Sequence, residues 1–282
     1  MSPYRLSEMT WEELDQLDRD RCVALLPIGA TEAHGPHLPL CTDVVISEAM
    51  VENAARRLGQ ERLIPLVLPP LAYTAATFAG DFPGTISIGA ETAAAVLVDI
   101  ARSIAKMGIR VLTLANSHLD PTHLGSLYEA VSLCREKKII AIAFPDITRK
   151  PWALRLTDEF KSGACHAGQF EGSIVMAARG DLVRAQIQAS LPENPSSLSA
   201  AIRSGKKTFE EAGGPRAYFG YPAQATAEEG EATIDTLGEM LTQSTLATLK
   251  ELGDATQKSN PEDRRDPAPN RESPRETEPS DE

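Results

Sequence analysis

The chain has 282 residues, 42% of them hydrophobic and 24% charged, with a formal net charge of -12. That length suits one large α/β domain or two small ones, and the composition is that of an ordinary globular protein. The acidic balance excludes nucleic acid or an anionic membrane as a main partner, because both need a positive field.

Residues 1–20 are polar and acidic, with no apolar stretch of the kind a secretory signal needs. No run is long and apolar enough to span a bilayer. Thr10 to Glu13 reads as a capping box opening a short helix, with Met9, Trp11, Leu14 and Leu17 on its apolar face. Residues 22–28 are continuously apolar, as a strand buried on both faces would be. Residues 43–58 have helical periodicity behind an N-cap at Thr42 and stop at Gly59. Residues 63–68 form a second strand, closed by Pro69-Pro70, and residues 91–107 an alanine-rich helix ending at Gly108. A third strand at 109–115, a helix at 124–137, a fourth strand at 139–144, a helix at 172–178 and a long helix at 228–252 complete the series. Residues 191–199 and 205–222 read as loops near the mouth of a site.

Strand and helix alternate throughout, which predicts an α/β fold: a three-layer α/β/α sandwich with a mostly parallel central sheet. One domain over residues 1–255 is expected. Residues 261–282 hold eight acids and four arginines, and from Asn260 onward Ala268 is the only apolar residue. Such a segment cannot bury enough surface to offset its ordering entropy, so an acidic, proline-rich disordered tail is expected at 256–282. The four cysteines have no CxxC spacing and read as free thiols in a reducing, cytoplasmic setting.

The chemistry concentrates between positions 32 and 43. Glu32, His34, His37 and Asp43 follow an apolar strand and are held by Gly29, Gly35, Pro36 and Pro39. Glu32 and His34 are two apart, so in extended backbone they point the same way. Asp43 stands in the first turn of a helix, where a carboxylate suits the dipole. A second cluster, Asn116-Ser117-His118-Leu119-Asp120, follows the third strand. In open α/β sheets ligands gather at the carboxyl ends of strands, so the two clusters are expected to face each other. Mixed imidazole and carboxylate donors suit Zn, Mn or Fe. Two such ions sharing one carboxylate can activate water at neutral pH and polarise a carbonyl.

The first cluster closely resembles the signature of the creatininase (creatinine amidohydrolase) family, metal-dependent hydrolases of amide-like C–N bonds. The resemblance covers residues 20–180 in four patches, including Phe82-Pro83-Gly84-Thr85, which shapes the site wall. It implies that Glu32, His34, Asp43 and His118 are metal ligands, with Asp43 bridging two divalent ions. His34 would serve one ion, and Glu32 with His118 the other. Asp120 would complete the His34 ion, although a helix cap before Pro121 is an equal reading of that residue. Cys165-His166-Ala167-Gly168 with Glu171 resembles the third family motif. There His166 would pass a proton to the leaving nitrogen, and Glu171 would ligate or orient near the metals. The resemblance also implies a homo-oligomer, often a hexamer.

The departures concern substrate more than metal. Where family members carry a polar Ser-x-Glu-His arrangement, this chain has Ala76, Phe78 and Ala79. The second motif loses its glycines, and Gly172 replaces a threonine in the third. Phe78 and Trp152 are taken as substrate-binding, Trp152 with a core or rim position as its alternative. His37 is read as structural or hydrogen-bonded to a ligating carboxylate, and His123 as a solvated helix residue. Cys41 and Cys165 are buried thiols or, in the sharper reading, nucleophiles. The sequence therefore points to a binuclear amidohydrolase of a small cyclic amide or formamide other than creatinine. A peptide-cleaving member and a hydrolase of a cyclic polyol ketone stand beside it. The rival from another class is a metal-binding or assembly subunit that has lost catalysis.

Overall fold

The computed structural model describes residues 4–258. Five parallel strands run in the order β1-β3-β2-β4-β5: β1 (Tyr4–Arg5), β2 (Cys22–Ile28), β3 (Ile64–Val67), β4 (Val111–Asn116) and β5 (Ala141–Ala143). Every residue of the central strand β2 is buried. Val23 and Leu25 face a core shared with Met50, Val51 and Ala54 of α2 (Thr42–Gln60), Ile174 of α6 (Gln169–Arg179) and Leu237, Met240 and Leu241 of α9 (Ala227–Lys258). Ala24, Leu26 and Ile28 face a second core with Leu97, Val98 and Ile104 of α3 (Ala90–Lys106) and Leu127 and Ala130 of α4 (Pro121–Glu136). The two-residue alternation of a strand thus divides one unbroken apolar run between two layers. Burying each such Leu or Ile contributes about 1.5–3 kcal/mol. The three-layer sandwich read from the sequence is the observed fold.

Element ends differ from the sequence reading for local reasons. α2 begins at Thr42, whose Oγ1 donates to Pro39 O at 2.7 Å, so Thr42 is the first helical residue and Cys41 holds the cap position. The helix runs through Gly59 and is turned instead by Arg62, in the left-handed region at φ 63°. α4 starts three residues early because Asp120 Oδ1 accepts from Thr122 N. The capping box on α1 (Trp11–Asp15) is present, but Trp11 is 75% exposed while Met9, Leu14 and Leu17 pack inward. Short helices α5 (Asp158–Ser162), α7 (Ala185–Ser190) and α8 (Leu198–Arg203) occupy the stretch before α9. β1 was too short to leave a pattern. No helix among the described residues is long and apolar enough to cross a membrane. Of the disordered tail expected at 256–282, residues 256–258 instead continue α9, and 259–282 lie outside the described residues.

Chain order locates the site. From β2 the chain moves outward to β3, then returns to lay β4 on the other side of β2. Strand order therefore reverses between β2 and β4, and a crevice opens at their carboxyl ends. Ile28 and Asn116, the last residues of these strands, are paired in register. The two clusters read from the sequence follow them directly.

Candidate active site

Gly29 sets the geometry first. A Cβ there would lie 2.6 Å from Val44 N and 2.7 Å from the Asp43 carbonyl carbon, so only glycine lets α2 abut the end of β2. Ser117 stitches the second cluster to the first: its Oγ donates to Asp43 O at 2.6 Å and its N to Ile28 O at 3.1 Å. Thr85, from the Phe-Pro-Gly-Thr patch, accepts from Ala33 N at 3.1 Å.

These contacts bring Glu32, His34, Asp43, His118, His166 and Glu171 into one buried cluster. Asp43 stands at its centre. Its Oδ1 lies 3.2 Å from His34 Nε2 and its Oδ2 3.1 Å from His118 Nδ1. Glu32 Oε1 is 3.2 Å from His118 Nδ1, and Glu171 Oε2 is 3.5 Å from His34 Nε2. Among the described residues three triads result: Glu32–Asp43–His118 and His34–Asp43–Glu171, which share the Asp43 carboxylate, and Glu32–His34–His166. His166 Nδ1 lies 3.9 Å from Glu32 Oε1.

The far side of each imidazole is anchored to a carbonyl. His118 Nε2 meets Ala75 O at 2.9 Å, His166 Nε2 meets Ala33 O at 2.9 Å, and His34 Nδ1 meets Glu32 O at 3.2 Å. A ring nitrogen that donates to a carbonyl leaves the other with its lone pair facing the cluster, as metal ligation requires. Close approach is not hydrogen bonding here: Glu32 Oε2, His34 Nε2 and Asp43 Oδ2 are buried without a hydrogen-bond partner. Buried polar atoms rarely stay unpaired. Three carboxylates and two ring nitrogens converging at such distances are a donor set that fits divalent cations.

Electrostatics agree with that fit. Burial opposes charge on His34, but Asp43 and Glu171 outweigh it and lift its pKa to about 10. Burial likewise opposes charge on His118, and the Glu32 and Asp43 carboxylates raise it well above an ordinary histidine. Burial would raise Asp43, yet the charge on His34 holds it well below the usual carboxylate range. Burial, helped by Asp43, lifts Glu171 to about 8. Burial and then the charge on His34 push His166 well down, so it is neutral at physiological pH. In the metal-free protein, protons on His34 and His118 balance the carboxylates.

A cavity of about 560 Å³ opens over Glu32, Asp43, His118, His166 and Glu171. Phe78 lines it and packs on Phe209, ring centroids 6.0 Å apart. His166 lies between His34, at 4.3 Å, and Phe209, at 4.2 Å. Leu198, Ser199 and Phe209 line the cavity, so both stretches read as loops near the mouth reach it.

The structure chooses between alternatives for Asp120, Trp152, His37 and Cys165, and it corrects the reading of His123. Asp120 does not join the ligand cluster. Its Oδ1 caps α4, and its Oδ2 accepts from Thr77 N, Thr77 Oγ1 and Phe78 N at 2.8, 2.8 and 3.0 Å. Oδ1 thus holds the start of α4, and Oδ2 holds the wall that carries Phe78. Trp152 packs against the α2–α9 core while its neighbours Ala153 and Leu154 line the cavity. His123 is not solvated: it is fully buried, with Nε2 2.9 Å from Asn116 Oδ1. His37 is buried edge-on to Tyr218, and its ring nitrogens bond no carboxylate. Burial, then the carboxylates of Glu171 and Glu159, push the Cys165 thiol up to about 12, which leaves no thiolate to act as nucleophile.

Comparison with known proteins gives this constellation a family. The profile of the creatininase family, described as creatinine amidohydrolase, matches residues 7–245. The chain belongs to the creatininase family. It is 30% identical to a creatinine amidohydrolase of Pseudomonas putida over 63% of this chain and 73% of that protein. It is 34% identical to a mycofactocin precursor peptide peptidase of Mycobacterium tuberculosis, over 73% of this chain and 77% of that protein. A mutant creatininase solved in a zinc–zinc form superposes with a TM-score of 0.63 at 23% identity, covering 86% and 97% of the two chains. The chain is thus a creatininase-family hydrolase with a set of buried residues suited to metal.

Two parts of this creatininase-family site escaped the sequence reading. Glu159, on α5, accepts backbone N–H groups from Gln169 (2.8 Å), Phe170 (2.6 Å) and Tyr221 (2.7 Å). It caps the helix that carries Glu171 from outside that helix. Asn116 accepts from His118 N and donates to His118 O, while its Oδ1 meets His123 Nε2, fixing the His118 backbone. Its place at the end of an apolar strand was the available signal for Asn116. Glu159 left none, because its partners lie 10 to 62 residues away.

Proposed function

We propose that the protein hydrolyses a C–N bond of a small amide other than creatinine, using two divalent metal ions. Glu32, Asp43 and His118 would hold one ion; His34, Asp43 and Glu171 would hold the other. The observation that carries this reading is the Asp43 carboxylate, whose two oxygens face two separate donor sets. Zinc, as in the zinc–zinc creatininase, suits these donors, as do manganese and iron. When bound, two such ions lower the pKa of water and polarise the scissile carbonyl. His166 is the proton carrier. It is neutral, its Nε2 is committed to Ala33 O, and its free Nδ1 faces the cluster. At Nδ1 it takes the proton that the attacking water loses, and it returns that proton to the leaving nitrogen as the C–N bond breaks. His34 and Phe209 on its two faces keep the ring from turning.

The apolar wall at Phe78 supports a substrate other than creatinine. A cavity of about 560 Å³ is large for one small ring, and it falls in the range that buries a drug-sized ligand. With the peptidase relatives, it favours an open-chain, peptide-like amide over the small cyclic or formyl amide first expected. A homo-oligomer, a hexamer by family resemblance, and a cytoplasmic location complete the proposal.

The test is metal content per chain on protein purified without added metal, followed by a screen of amides. Wild type should carry about two ions and Asp43→Ala close to none. His166→Ala should keep its metal while turnover falls about 10²–10⁴-fold. No metal in wild type after reconstitution would overturn the mechanism. Two ions with no turnover on any amide would favour the metal-binding subunit instead.

A further inference from the structure

The cavity changes character from floor to mouth. The floor is acidic and buried, and above it Phe78, Phe160 and Phe209 form an apolar wall. The mouth is lined by three exposed cations, Lys150, Lys161 and Arg203, and by no exposed acid. Lys161 is paired with Asp158 at 2.7 Å. The side chains of Lys150 and Arg203 form no ion pair among the described residues, and they come from different elements, the loop after β5 and the end of α8. In a chain of net charge -12, an opening of this sign stands against the surrounding field. Neither a neutral nor a cationic ligand would use it.

We propose that the substrate is an amide with an apolar arm ending in a carboxylate: a short apolar peptide with a free C-terminus. The amide lies over the Asp43 cluster, the arm runs along Phe78 and Phe209, and the carboxylate sits between Lys150 and Arg203. The inference rests on the hydrolase reading for the position of the amide, while the anion site stands on the cavity mouth alone. Guanidinium and ammonium are the side chains that recognise a carboxylate through charge-assisted hydrogen bonds.

The experiment compares N-acetyl-leucyl-leucine with N-acetyl-leucyl-leucinamide, identical but for the terminal charge. Binding to metal-loaded protein is followed by ligand-observed NMR, and turnover is followed in parallel. Wild type should prefer the acid by about tenfold, a preference that shrinks with added salt. The double variant Lys150→Ala/Arg203→Ala should lose it, with binding of the amide unchanged. Lys150→Glu/Arg203→Glu should reverse it. Equal binding of acid and amide to wild type overturns the proposal. So does a preference that survives in the double variants, which would place the carboxylate on the metals. Selective binding with no turnover of this or any other amide keeps the anion site and refutes the hydrolase reading, so the two failures are distinguishable.

Discussion

Replacing Glu159 by alanine removes the acceptor of three backbone N–H groups at once. Oε1 accepts from Gln169 and Tyr221, Oε2 from Phe170, and the carboxylate is 6% exposed. Burial raises its pKa above the usual glutamate value, and the N–H groups of Phe170 and Gln169 pull it back. Each buried donor left without a partner costs about 1–3 kcal/mol. Water entering the vacated space will satisfy part of the set, so the expected loss is about 3–5 kcal/mol, a large share of a typical domain's stability. Glu159→Gln keeps one oxygen but turns an NH₂ group toward Phe170 N–H, for a loss of about 2–3 kcal/mol. The site should loosen too. Gln169 and Phe170 open the helix carrying Glu171, and Phe219, two residues before Tyr221, donates to His166 O at 2.8 Å. The assay is urea unfolding of chelator-treated protein, which separates this loss from metal-linked stability, with metal retention measured alongside. A Glu159→Ala protein within about 1 kcal/mol of wild type, at an unchanged slope, would refute the clamp.

Metal affinity should fall as pH falls. His34, at about 10, and His118, also raised, hold protons at neutrality that a metal ion must displace. Between neutrality and pH 10, displacing the His34 proton should cost about tenfold in affinity per pH unit lowered, with a further loss from His118, and calorimetry in two buffers of different ionisation enthalpy should detect the release. An affinity independent of pH would show that these imidazoles are not displaced. Asp120→Asn should lower stability by about 1–2 kcal/mol through the α4 cap while metal content stays at the wild-type level. A fall in metal by half would restore Asp120 as a ligand. Cys165→Ser should leave turnover within about twofold, since the thiol is held protonated; a loss of two or more orders of magnitude would revive a thiolate nucleophile.

What the sequence made legible was local or periodic. The run from Cys22 to Ile28 announced a strand buried on both faces because strand geometry assigns alternate residues to opposite layers. The crowding of Glu32, His34 and Asp43 among glycines and prolines announced a site because a surface turn has no use for so many metal-competent side chains. What stayed hidden depended on partners far away in the chain. Asp120 offered two readings of equal weight, and the choice was made by Thr77 and Phe78, 43 and 42 residues earlier, which occupy its second oxygen. His123 looked solvated on its own helix until Asn116 was found to claim its ring.

The same distinction explains why the family motifs tolerate the changes seen here. Ser117 stands where the family pattern has glycine, and it adds an Oγ bond to Asp43 O instead of a clash, so the substitution tightens the junction between the two clusters. Phe78 stands where a polar wall is usual, yet its backbone N–H is held by Asp120 as firmly as that of Thr77. The wall keeps its place and changes only the chemistry it presents to the cavity. His34 and His118 have no such freedom, because each is anchored to a carbonyl on one side and converges on the Asp43 carboxylate on the other. Divergence is therefore cheapest at the mouth and wall and most costly at the floor. A creatininase-family protein can exchange its substrate while the arrangement suited to metal persists.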